Sequence, residues 1–252
     1  MTTPAGPDPS YRALLAEARS LHPGVRIGRP GTSRGYYPMI TAMRVLRARF
    51  AVRVSGAERV GDGPAILVGN HVSEWDPVVV VISNWWRCSA FTKVEVFQRP
   101  GAIFFRIMGQ IPLRRGDEAA TRWAMQMSRH ALAHGGKVAI YPEGTRSPYP
   151  DVMHRLHKRI LIPLLQANPD VPVHVVTTGY EPRGWRRTRV TVRVSEPLAL
   201  DPRSMGPDEL TERVRDAMLA LSGQRYCDRY ARDVKAELRA ARRAGATGPD
   251  AG

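Results

Sequence analysis

Short runs of consecutive apolar residues alternate along this chain with longer stretches in which apolar residues return every three or four positions. The runs FAVRVSG (50–56), AILVGN (65–70), CSAFTK (88–93) and IPL (111–113) are aliphatic or β-branched and bounded by Gly, Pro or polar residues, which predicts strands. KVAIYPEG (137–144) reads as a strand running into a turn marked by Pro142 and Gly144. VPVHVVTTG (171–179) and RVTVRVS (189–195) read as two more, and their closeness across residues 180–188 predicts an antiparallel pair at a sheet edge. Helical spacing is plainest after Glu118, where Ala120, Trp123, Ala124, Met127 and Ala131 form one stripe that ends at Gly135-Gly136. Asp76-Pro77 is a helix start before the apolar run 78–82, because Asp caps free amides and Pro tolerates the first helical position. Leu210, Val214, Met218 and Leu221 mark a later helix, and Tyr226, Tyr230, Val234 and Leu238 another, whose arginines read as a solvated face or, alternatively, a lipid-facing one.

Residues 36–50 read as a basic amphipathic helix: Tyr36, Tyr37, Ile40, Met43, Val45, Leu46 and Phe50 fall near helical spacing with Arg44, Arg47 and Arg49 between them. Such a helix can lie in a membrane interface or pack on a core. Strands alternating with helices predict an α/β fold. A chain of 252 residues is long enough to build it as one domain with a large core. The expected division is an N-terminal extension over 1–35, the main domain over 36–200, C-terminal helices over 201–243 and a tail over 244–252. The two ends, rich in small residues, Gly and Pro, are expected to be mobile.

The net charge of +15 points towards polyanions, whether nucleic acid, anionic lipid or phosphorylated small molecules. Nucleic acid is not expected as a partner, because no helix-turn-helix, zinc-finger or RNA-binding signature accompanies the charge. Only four of the 38 basic residues are lysines, Lys93, Lys137, Lys158 and Lys235. A lysine kept in so arginine-rich a chain hints that a compact ammonium is wanted there, and Lys93 lies beside other polar motifs. Two cysteines, Cys88 and Cys227, outside any CxxC or His pair, give no disulfide framework and no metal site, and fit a reducing cytoplasm. The chain carries no secretory leader pattern and no apolar run near the ~18 residues of a membrane span.

Candidate chemistry sits where strands end. VGNHVSEWDP (68–77) places His71 five residues before Asp76. The pair can be a neutral imidazole that takes a proton while the carboxylate fixes its tautomer, or a strand-end histidine beside a helix cap. With no GxSxG elbow, and Ser73 the only serine in the stretch, direct transfer to a bound acceptor is favoured over a covalent enzyme intermediate. YPEGTRSP (141–148) offers Glu143, Gly144, Thr145 and Arg146 on a tight loop suited to a phosphate-bearing headgroup, or to an ordinary polar turn. GQIPLRRG (109–116) ends in Arg114 and Arg115.

In this order the motifs resemble those of the glycerolipid (lysophospholipid) acyltransferase family, over roughly residues 36–200. Asn70, His71, Ser73, Asp76 and Pro77 match its NHxSxxDP signature; Lys93, Glu95 and Phe97 resemble AKxELF; Gly109, Ile111, Pro112 and Arg115 resemble GxIPxxR; residues 142–147 match PEGTRS. The resemblance implies a single α/β domain with a mixed, largely central sheet flanked by helices, an N-terminal amphipathic helix and C-terminal helices. It implies an enzyme on the cytoplasmic face of the cell membrane, bound peripherally. This enzyme would move a fatty acyl group from acyl-CoA or acyl carrier protein to a lysolipid hydroxyl, first of all that of 1-acyl-sn-glycerol 3-phosphate, giving phosphatidic acid, with no cofactor and no metal. By residue, His71 would be the base and Asp76 its partner, with Lys93, Arg115, Glu143, Gly144, Thr145 and Arg146 at the acceptor's phosphate. The chain departs from the family after residue 150, where DVMHRLHKRI puts His157 and Ile160 at glycine positions, and at Val175, where a proline is usual. These departures leave room for another lipid or glycolipid acceptor, or for a non-catalytic lipid-binding member.

Overall fold

A computed structural model of the chain describes residues 11–28, 35–114, 116–183 and 187–246. In chain order its elements are α1 (Tyr11–Leu21), α2 (Tyr36–Met43), β1 (Phe50–Ser55), β2 (Ala65–Gly69), α3 (Asp76–Asn84), β3 (Cys88–Lys93), α4 (Ala102–Ile107), β4 (Ile111–Leu113), α5 (Glu118–Ala133) and β5 (Lys137–Ile140). These are followed by β6 (Val152–His154), α6 (Lys158–Ala167), β7 (Val173–Glu181), β8 (Thr188–Val194), α7 (Pro207–Ser222), β9 (Arg225–Cys227) and α8 (Ala231–Ala246).

β2 and β5 are aliphatic on both faces because helices cover both faces of the sheet they share. Ile66, Val68, Val138 and Ile140 point into a core built with α1, α5, α6 and α7. Leu67 and Ala139 point the other way, into a core with Tyr36, Ile40, Val79 and Val80 of α2 and α3. The indole Nε1 of Trp123 donates to the Leu14 carbonyl at 2.8 Å, which ties α1 to α5. Among the described residues the main sheet has seven strands in the order β1-β8-β7-β2-β5-β3-β4. All neighbours are parallel except β7 and β8, so the sheet is mixed, as expected.

Three local expectations need correction. The helix from Tyr36 stops at Met43, continues as a 3-10 turn over Arg44–Ala48, and Phe50 already belongs to β1. A buried aromatic at that position fits the stripe of a helix and the inward face of a strand equally well. β7 and β8 are indeed antiparallel, but β1 pairs in parallel outside β8 and takes the edge. The last stripe is not helical throughout: Tyr226 lies in β9, which pairs with β6 from the segment that departs from the family pattern, and α8 begins only at Ala231. Residues 1–10 and 247–252, which hold most of the two ends expected to be mobile, lie outside the described residues.

Candidate active site

β2 lies between β5 and β7, with Val68 level with Ile140 and Gly69 level with Val176. The chain leaving β2 therefore meets the loop after β5 on one side and Thr178 of β7 on the other, at the strands' carboxyl ends, the usual place for ligands in α/β sheets. Gly69 makes this approach possible. A Cβ there would lie 2.7 Å from Cε1 of Tyr141, the ring of which sits 4.8 Å from that of His71, centroid to centroid.

Asp76 is fully buried at the first residue of α3, yet its carboxylate caps no helix amide. It turns back to the loop before it. Oδ2 accepts from the amides of Val72 (2.9 Å) and Ser73 (2.8 Å) and lies 2.9 Å from His71 Nδ1, while Oδ1 accepts from the Thr178 hydroxyl at 2.8 Å. Four donors thus hold one buried carboxylate, and the cap expected from sequence becomes a clamp on the imidazole. With Nδ1 facing the carboxylate, Nε2 is the nitrogen left for chemistry, on a ring 20% exposed. Ser73 is no competing nucleophile in this arrangement, since its hydroxyl accepts from the Trp75 amide at 3.2 Å and closes the turn.

The loop after β5 completes the frame. Glu143, fully buried, accepts from the His71 amide through Oε1 and from the His154 amide through Oε2, both at 3.0 Å, and the His71 carbonyl accepts from the Ser147 amide at 2.6 Å. Burial pushes the Glu143 carboxyl up to about 7, against the pull of the two amides. Because the folded value lies above 4.5, the folded protein holds this proton more tightly than the unfolded chain. Stability conferred by Glu143 is therefore present below pH 4.5 and falls as pH rises through about 7. Between pH 5 and pH 8, wild-type protein is expected to lose ~2–3 kcal/mol relative to Glu143→Gln, read from urea unfolding of both at each pH. Equal slopes for the two proteins would reject this account. Burial and the nearby Asp76 carboxylate also hold the phenols of Tyr141 and Tyr180 well above their usual range, so both are neutral walls.

A histidine steered by a buried aspartate has the geometry to accept a proton through its free ring nitrogen. The family model described as Acyltransferase matches residues 51–180, which hold all of these groups. The chain belongs to the acyltransferase family. Among solved structures, this acyltransferase is similar to the crystal structure of the 1-acyl-sn-glycerophosphate (LPA) acyltransferase PlsC from Thermotoga maritima, with a TM-score of 0.51 and 21% identity over 72% of this chain and 77% of that one. No curated protein sequence matches it.

Among the described residues, the other predicted site residues of the acyltransferase lie at the end of β3 and on the loop after β5. Gly144 has φ +71°, and a Cβ there would meet His157 Cδ2 at 2.6 Å, so the glycine admits the histidine that stands where the family has glycine. Thr145 is half-buried, and Arg146 is exposed with its guanidinium 3.4 Å from Glu74. Lys93 ends β3 and is exposed. Arg115 lies outside the described residues. Glu143, which the resemblance puts at the acceptor's phosphate, accepts from the His71 amide and so also supports the His71 backbone. Sequence reasoning missed Thr178 and the role of Asn70, whose side chain brackets Thr178 by donating to its carbonyl (3.1 Å) and accepting from its amide (2.8 Å). A signal was there: Thr177-Thr178 puts two hydroxyls at the end of the buried stretch of β7, after three valines and His174.

Proposed function

We propose that this acyltransferase moves a fatty acyl group from acyl-CoA or acyl carrier protein to the free hydroxyl of a lysophospholipid-type acceptor, 1-acyl-sn-glycerol 3-phosphate, giving phosphatidic acid. The observation that carries the reading is the His71 ring held by the buried Asp76 carboxylate at 2.9 Å. His71 Nε2 takes the proton of the acceptor hydroxyl as its oxygen attacks the thioester carbonyl. The imidazolium that forms is stabilised by Asp76, whose own charge is unchanged through the step. Collapse of the tetrahedral intermediate breaks the C–S bond, and His71 returns the proton to the departing thiolate. Lys93, Arg115 and Arg146, with Gly144 and Thr145 shaping the turn, are proposed to hold the acceptor's phosphate. Release of free coenzyme A from a long-chain acyl-CoA on addition of 1-acyl-sn-glycerol 3-phosphate tests the reading. Release with other lysolipids or glycolipids only would replace the acceptor, and none with any acceptor would reject the reaction.

A peripheral position on an anionic membrane is part of this proposal. Among the described residues no helix is long and apolar enough to cross a membrane. Tyr37 and Trp85 are 39% and 43% exposed, with ring centroids 6.4 Å apart. Arg87 lies over the Tyr37 ring at 4.8 Å and Arg44 over the Trp85 ring at 4.4 Å. Aromatic rings with arginines stacked on them suit the headgroup layer. Trp85 is held there at a cost, because its φ of +57° is left-handed, a conformation in which a bulky side chain is disfavoured by roughly 1–2 kcal/mol. In Trp85→Gly the relief of that strain offsets the loss of ring and cation–π contacts of about 1 kcal/mol. Tm is expected to move little while affinity for phosphatidylglycerol vesicles falls about tenfold, near the ~1.4 kcal/mol of one anchoring contact. Unchanged affinity in a sedimentation assay would remove Trp85 from the membrane face.

A further inference from the structure

The start of α8 is tied to the active-site loop from several sides. β9 pairs with β6, the Arg155 amide donates to the Arg229 carbonyl at 3.0 Å, His154 Nδ1 meets the same carbonyl at 3.2 Å, and the Tyr230 ring stacks on His157 at 4.4 Å with 5° between planes. Ala231, the first residue of α8, is fully buried. From that anchor the helical period decides which side chains turn inward. Ala231, Val234, Lys235 and Leu238 are the less exposed ones, at i, i+3, i+4 and i+7, whereas Arg232, Asp233, Ala236 and Glu237 are exposed. One ammonium therefore lies on the apolar stripe of the helix.

Lys235 there comes within electrostatic reach of Arg146, Arg239 and Lys93, and of Glu143. Burial first, and then those three cations, pull its ammonium below the usual lysine range. The chain's other two lysines are accounted for: Lys137 donates to the Gly63 carbonyl at 2.9 Å, and Lys158 is paired with Asp208. Among the described residues neither Lys93 nor Lys235 forms an ion pair with a carboxylate. Of the nearby acids, Glu143 accepts backbone amides with both oxygens, and Glu74 is paired with Arg146. Lys235 and Arg239 lie one turn apart on α8, Lys93 ends β3, and Arg146 follows β5, the strand paired with β3, so cations on three neighbouring elements face little counter-charge, and an anion at Lys235 relieves their repulsion.

We propose that Lys235 and Arg239 of the C-terminal helix bind the acceptor's phosphate together with Lys93 and Arg146, so that α8 forms one wall of the acceptor site. This wall lies outside the stretch 51–180 that carries the family's pattern, and it rests on the acceptor reading given above. A phosphate monoester is the chemistry that fits, since it carries about −1.5 to −2 charges at neutral pH and offers three acceptor oxygens. Arg146 and Arg239 can bind it as planar forks, and the two lysines as point charges. Zwitterionic headgroups would bring a cation against Lys235.

Calorimetric titration with sn-glycerol 3-phosphate tests the wall without depending on turnover. Lys235→Met, which keeps the buried stem, is expected to weaken binding about tenfold, Lys235→Arg to recover most of it, and the exposed Arg239→Gln to weaken it severalfold. In acyl transfer, Lys235→Met should raise KM for 1-acyl-sn-glycerol 3-phosphate by the same factor, and Lys235→Arg should recover most of it. Inorganic phosphate should bind more weakly than sn-glycerol 3-phosphate if a lipid headgroup is the natural occupant, and equal affinity would assign the wall to free phosphate. The proposal is overturned if wild-type protein does not bind sn-glycerol 3-phosphate, if Lys235→Met binds it as tightly as wild type, or if Lys235→Met and Lys235→Arg lose equally. Lysine-dependent binding without transfer to any phosphorylated lysolipid would instead sink the acceptor reading and leave the anion wall standing.

Discussion

Replacement of His71 by Ala is expected to lower kcat for acyl transfer by about 10²–10⁴-fold, the usual worth of a general base, while binding of sn-glycerol 3-phosphate stays near the wild-type value. The split follows from the geometry. Nδ1 is committed to Asp76 and the ring packs beside Tyr141, so the substitution deletes a proton acceptor from a frame that backbone and other side-chain groups hold. After it, Asp76 still accepts from Val72, Ser73 and Thr178, and the loop keeps the contacts of the His71 backbone with Glu143 and Ser147. Tm should therefore change little. The check is the rate of coenzyme A release at saturating acceptor, and a kcat within about threefold of wild type would rule out His71 as the base.

Asp76 is expected to divide into two effects according to the replacement. Asp76→Asn keeps the shape. Its oxygen can face His71 Nδ1 and the two amides while its NH2 donates to the Thr178 hydroxyl, so the fold survives with the tautomer held but without the charge that stabilises an imidazolium. A loss of roughly 10²–10³-fold in kcat, within the usual worth of general-base catalysis, with an intact circular dichroism spectrum is the expected result. Asp76→Ala leaves the Val72 and Ser73 amides, His71 and Thr178 facing a void, and is expected to cost about 3–5 kcal/mol in urea unfolding. If Asp76→Asn were as unstable as Asp76→Ala, the carboxylate would matter for folding more than for the reaction.

The sequence pattern made the centre of this molecule legible because the same physics writes both. A strand covered on both faces must be largely aliphatic, so β2 and β5 stand out, and the polar residues that follow them stand out more. The α5 stripe is equally plain, with Trp123, Ala124, Met127 and Ala131 all fully buried. What escaped depended on partners far along the chain. β9 is three residues long, too short to show a period, and its pairing with β6 spans 73 residues. The direction of the Asp76 carboxylate was hidden because a helix start and a histidine clamp ask for the same residue at the same place. Lys235 was hidden by its neighbours: in a helix crowded with arginines, one cation on the inward stripe looks like any other until Ala231 is seen to be buried.

The pairing of β6 with β9 also sets an order of events during synthesis. Residues 225–227 leave the ribosome 73 residues after the strand they complete, a delay of several seconds at ~5–20 residues per second. Through that interval the nascent chain already holds His71, Asp76 and Glu143. The Arg229 carbonyl that receives His154, and the ring that stacks on His157, have yet to arrive. The side of the enzyme built by β6, β9 and α8 thus closes last.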